Sequence, residues 1–155
     1  MSASAVLRPS GKTGALLAIG VGGLVAGAVD FIQASIVFGW RVWYAVAGGL
    51  LGPHARQGGA GIWTLGVVLH FFIACSAAAV YYSVSLKLSF MKEHPLVCGL
   101  FFGGAVNEVM TLVVLPLCRL HARGPYELHD LILGLVTHMI VIGLPISFSV
   151  RRFAK

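Results

Sequence analysis

Charge is what this sequence has least of. Only 10% of its 155 residues are Asp, Glu, Lys or Arg, where an ordinary soluble domain carries roughly 25%, and this excludes a water-soluble globular protein. Acidic residues are scarcest, five against eleven basic ones. No linker, internal repeat or low-complexity tract marks a second domain, and too much of the chain is apolar for disorder. Its twenty glycines follow no triplet period, which excludes collagen. Cysteine is limited to Cys75, Cys98 and Cys118, without metal-type or redox-type spacing, and each reads as a packing residue in or beside an apolar run. Enzyme signatures are missing as well: no G-x-S-x-G elbow, no H-E-x-x-H, no Walker loop and no dinucleotide fingerprint. Gly20-Val21-Gly22-Gly23 sits inside an apolar run and follows no strand, so it is not a phosphate loop. Any reaction here would involve a lipid, a quinone, a gas or a metal-bound small molecule.

What is present is apolar sequence, 58% of the chain. It falls into four runs long enough to cross a bilayer, at about 14–40, 61–85, 96–117 and 131–150. The predicted fold is therefore all-α, one domain over 1–155, an integral membrane four-helix bundle. Between the first two runs, Arg41 to Ala60 carries Trp43, Tyr44 and Pro53-His54-Ala55-Arg56. Short apolar pieces flanked by Trp, Tyr and Arg predict an interfacial or re-entrant segment. Gly23-x-x-x-Gly27, Ala74-x-x-x-Ala78 and Gly99-x-x-x-Gly103 supply small faces on which helices can approach closely.

The net charge of +6 comes from basic residues at the ends of apolar runs, with no nucleic-acid motif, so the expected partner is the lipid bilayer and not nucleic acid. Arg8, Lys12, Lys87, Lys92, Arg151, Arg152 and Lys155 fall on one side, against Arg41, Arg56, Arg119 and Arg123 on the other. Seven against four places both termini of this multi-pass membrane chain in the cytoplasm. The basic start and the Ala26-Gly27-Ala28 step imitate a secretory signal, but with Met1 as first residue the segment is expected to stay as span one.

Four ionisable residues lie within the runs, one on each: Asp30, His70, Glu108 and His138. Such residues are expensive in hydrocarbon and normally face a bundle interior, where they mark function. Asp30 is ten residues before Trp40, His70 nine after Gly61, Glu108 eleven before Arg119 and His138 eight after Asp130. At a rise of about 1.5 Å per residue, all four lie roughly 12 to 17 Å from the same end, so one shared layer is expected. Each has a small residue four positions earlier (Ala26, Gly66, Gly104, Gly134), leaving space for the longer side chain to reach across. Gln33, Asn107, Thr111 and Thr137 are candidate supporting groups.

Two carboxylates with two neutral imidazoles would leave two negative charges in a medium of low dielectric, and one divalent cation would cancel them. Carboxylate and imidazole suit zinc, iron or manganese. His70 and His138 alone also suit the two axial positions of a b-type haem, giving an electron carrier. The remaining readings are a proton or ion relay, and buried pairs that only hold the helices together in an accessory or scaffold subunit, with homo-oligomers or a larger membrane complex open in each case. The outer histidines His54, His121 and His129 read as loop residues, with His129-Asp130 the best placed for metal access.

Several short motifs carry a family likeness: Gly49-Leu50-Leu51-Gly52 with Gly58-Gly59, Leu69-His70-Phe71-Phe72-Ile73-Ala74, and Ala79-Val80-Tyr81-Tyr82. Val113-Val114-Leu115-Pro116-Leu117 and Gly143-Leu144-Pro145-Ile146 after His138 complete them. Across Ala26 to Arg152 the chain resembles small uncharacterised four-span bacterial inner-membrane proteins of the YagU-like kind. The resemblance implies the four-helix inner-membrane fold and brings with it no activity, cofactor or catalytic residue.

Overall fold

In hydrocarbon a backbone must satisfy its own hydrogen bonds, so uninterrupted apolar runs become helices. The computed structural model describes residues 11–154; Arg8 and Lys155, counted above for orientation, lie outside the described residues. Four apolar helices are each long enough to cross a membrane: span one Gly11–Phe38, span two Ala60–Ser85, span three Pro95–Leu117 and span four Leu128–Phe153. The described residues contain no strand, and the all-α membrane bundle expected from the sequence is the fold observed. Gly39, at φ 77°, turns the chain out of span one, a conformation that glycine adopts at little cost. Pro95 opens span three, where its missing N–H would have had no helical partner anyway.

Lipid offers no hydrophobic drive between helices, so small residues decide which faces meet. A methyl group on Gly23 would fall 2.6 Å from the Cα of Cys75, and one on Gly27 would fall 2.8 Å from the Phe71 ring, so this glycine face carries span two. Gly99 and Gly143 bring the backbones of spans three and four into contact, with Gly103 seated on the backbone of His138 and Met139. Gly22 meets Ser149 and Ile146, joining span one to span four. Ser149 Oγ donates to the Ala18 carbonyl at 3.0 Å across this last seam.

The buried core sits toward the end that carries the termini. Ala18, Tyr81, Ile146 and Val150 are fully buried there, and Phe102 stands edge-on to Tyr81 with ring centroids 4.9 Å apart. Toward the opposite, loop-bearing end the bundle parts into two pairs. The Leu144–Phe153 part of span four packs on span one, whereas the Leu128–His138 part packs on span three. Spans three and four each contain one π turn, Met110–Val114 and Met139–Gly143. Each is followed within two residues by a proline, Pro116 and Pro145. Proline lacks an N–H and its ring crowds the carbonyl four residues back, and the wider turn relieves that crowding.

The segment expected to be interfacial or re-entrant is a ten-residue helix, Val42–Leu51, followed by a 3₁₀ turn at Pro53–Gln57. It buries Trp43, Ala47 and Gly48 and lies against the loop-end half of span two. Its far end meets the residues just after span three: Arg119 N–H donates to the Gly49 carbonyl at 2.9 Å, and Leu120 packs on Gly48. One short helix thus bridges the two pairs where the spans have separated.

Candidate functional site

Asp30 and His70 come together because Gly27 and Gly23 let spans one and two approach closely. His70 Nε2 donates to the Gly27 carbonyl at 2.9 Å, and its Nδ1 lies 3.8 Å from Asp30 Oδ2. Their side chains are only 12% and 14% exposed. A carbonyl oxygen can only accept, so Nε2 carries a proton and Nδ1 is the nitrogen turned toward the carboxylate. At 3.8 Å the two groups face each other without forming a direct hydrogen bond.

Aromatic rings wall this pair. Trp43 reaches in from the linking helix, its ring 4.9 Å from the imidazole and stacked on Phe31 at 4.5 Å. Phe71 stands edge-on to the imidazole at 5.4 Å. Trp43 Nε1 donates to Ser35 Oγ at 3.1 Å, and that hydroxyl donates to the Phe31 carbonyl at 2.7 Å, so the buried indole leaves no donor unsatisfied. Trp40 and Trp63 stack outside this set at 4.8 Å. The cage went unseen in the sequence because it depends on the linking segment folding back. The signal available was Trp43 itself, a large aromatic in a segment too short to span.

The other two members of the expected layer stand apart. Glu108 is exposed, and on the helix it shares an outward stripe with Phe101 (76% exposed) and Leu112 (66% exposed). Its Oε1 accepts from the neighbouring Asn107 Nδ2 at 3.3 Å. His138 is half-buried, and its Nδ1 donates to the Gly134 carbonyl of its own helix at 2.9 Å. The expectation of one four-residue layer is therefore corrected: the spans separate in this half, leaving Glu108 exposed on span three and His138 bonded within its own helix. Among the described residues no three His, Cys, Asp or Glu side chains converge in a group that could hold a metal ion.

The small residues four positions earlier also have another purpose. Gly66 admits the Trp43 backbone, Gly104 admits Leu135 and Met139, and Gly134 lies beside Asn107 Oδ1, so the space is occupied by neighbouring elements and not by the ionisable side chains. Of the supporting groups, Asn107 is buried between spans three and four, while Gln33 faces an outer groove of span one. His121 is exposed in the third loop, His129 is exposed in the first turn of span four, 3.4 Å from Asp130, and His54 is exposed in the 3₁₀ turn. Cys75, Cys98 and Cys118 are free thiols, half-buried in packing positions.

As a ligand set the pair supplies two protein donors, Asp30 oxygen and His70 Nδ1, where catalytic zinc sites use three. A haem axial bond through His70 Nε2 would compete with the hydrogen bond to Gly27. Compared with protein-family models, characterised proteins and solved structures, the chain matches none.

Proposed function

We propose that this multi-pass membrane protein handles protons through the Asp30–His70 pair. The observation that carries the reading is the fixed imidazole: Nε2 is committed to Gly27, and Nδ1 faces a carboxylate in a pocket closed by aromatic rings. A bare Nδ1 lone pair against an ionised carboxylate is repulsive, and one proton on either group removes the repulsion and leaves the pair neutral. Losing that proton leaves one negative charge inside a membrane span, which is the kind of group used in intramembrane proton relays. The pair is thus an ion-handling site for a single exchangeable proton. We place both termini in the cytoplasm of a bacterial inner membrane, following the Lys/Arg count and the YagU-like resemblance.

The test is proton flux in proteoliposomes under an imposed potential, read by a trapped pH-sensitive dye. The intact protein should dissipate the gradient faster than protein-free vesicles, and Asp30→Asn should return the rate to that baseline while keeping a helical circular-dichroism spectrum. A wild-type rate equal to that of empty vesicles, or an undiminished rate in Asp30→Asn, would overturn the reading.

A further inference from the structure

Two arginines at the loop end line one cavity. Arg41 follows the end of span one and Arg56 precedes the start of span two, both exposed, and with Phe38, Val42, Tyr44 and Ala45 they line an open concavity of about 460 Å³. The Arg41 guanidinium donates to the Arg56 carbonyl at 3.5 Å, which draws the two residues to one rim. Neither guanidinium forms an ion pair among the described residues, whose two ion pairs are both between histidine and aspartate. The helix Val42–Leu51 begins at this cavity without a side-chain cap, so its positive end adds to the same field. Two uncompensated guanidiniums in one concavity call for an anion, and their planar forks fit phosphoryl oxygens.

The depth and the surroundings indicate where that anion comes from. Trp40 stacks on Trp63 beside the cavity and Tyr44 lines it, as aromatic residues do at the headgroup level of a bilayer. Immediately below, on the membrane-facing surface of span one, Val29, Ile32, Gln33, Ile36 and Val37 form a shallow groove of about 280 Å³ with an almost wholly apolar lining. A cavity carrying two arginines at the end of span one, with an apolar groove beginning one residue before Phe38 on the same span, matches the parts of a lipid: phosphate at the arginines, acyl chain along the span.

We propose that Arg41 and Arg56 bind the phosphate of an anionic phospholipid, with an acyl chain along the groove of span one. Two guanidiniums exceed the charge of one phosphodiester, which favours a head group with net negative charge over a zwitterionic one. This site is separate from the Asp30–His70 pair and stands or falls independently of it.

All three tryptophans, Trp40, Trp43 and Trp63, lie in this corner of the molecule, so intrinsic fluorescence reports it. The full chain is placed in vesicles of phosphatidylcholine with increasing phosphatidylglycerol, one lipid at a time carrying brominated chains, and quenching gives the relative binding constant. The expected preference for phosphatidylglycerol is about fivefold or more, the increment of one arginine at a membrane surface. In the Arg41→Gln/Arg56→Gln double variant the ratio should fall to about one, with the circular-dichroism spectrum unchanged. Lys87→Gln/Lys92→Gln, at the other end, should keep the wild-type ratio. A ratio near one in the wild type, or a preference that survives the arginine changes or vanishes with the lysine changes, would overturn the proposal. Inorganic phosphate at millimolar concentration is expected to leave the quenching unchanged; competition by it would overturn the lipid assignment in favour of a soluble phosphate.

Discussion

Gly66 of span two lies directly against the backbone carbonyl of Trp43, close enough that no side chain larger than hydrogen fits between them. That contact fixes how far the linking helix sinks beside span two, and with it the position of the Trp43 ring over His70. Gly66→Ala should therefore force backbone apart and cost about 1–3 kcal/mol, together with a shift in tryptophan emission. Gly20, whose surroundings are open, is the control: Gly20→Ala should leave stability unchanged or raise it by about 0.5–1 kcal/mol. Reversible unfolding in mixed micelles measures both, and equal effects at the two sites would contradict the close contact.

A cross-link checks the bridge between the two helix pairs. A Cβ on Gly49 would lie 3.8 Å from the Cβ of Cys118, the separation found in disulfides. Gly49→Cys should couple to the native Cys118 under mild oxidation, with a mass loss of two hydrogens and faster migration on a non-reducing gel. Gly11→Cys at the opposite end of the molecule should not couple.

The two intramembrane carboxylates, Asp30 and Glu108, should respond differently to replacement. Asp30→Leu leaves His70 Nδ1 facing an apolar group inside its aromatic pocket and should cost about 1–3 kcal/mol. Glu108→Leu extends the exposed apolar stripe of Phe101 and Leu112 and should change stability by less than about 0.5 kcal/mol. Denaturant titration of the two variants separates them, and a large loss at Glu108 would show that this carboxylate has a partner beyond the chain.

Orientation has a direct readout. His121 is exposed in the third loop, and a His121→Cys change in a background lacking the native thiols should be labelled by a membrane-impermeant maleimide on intact spheroplasts. Labelling only after lysis would place the termini outside.

The spans were legible because a long apolar run has few folds open to it in hydrocarbon, and the Gly23, Gly27, Gly99 and Gly103 faces were legible because small residues at four-residue spacing mark close helix approach. The Asp30–His70 contact followed from equal depth on two spans joined by such a face. Glu108 and His138 did not join it, since depth along a helix says nothing of the angle around it. A π turn beyond each residue, and the divergence of the spans, depend on packing that no single-helix pattern carries. Arg41 and Arg56 were read only as topology signals; that they share one cavity requires the turn at Gly39 and the 3₁₀ turn before span two.

The seam between span one and span four also constrains how the molecule is made. The Ser149–Ala18 hydrogen bond joins residues 131 positions apart, so span one has one face covered by span two and another left open until span four, made after the other three, is inserted. Spans one and two can pair early, and spans three and four can pair late, each as a hairpin in lipid. The finished bundle is then the docking of two hairpins at their termini-bearing ends, and separately expressed halves, cut within the second loop, should find each other and reassemble.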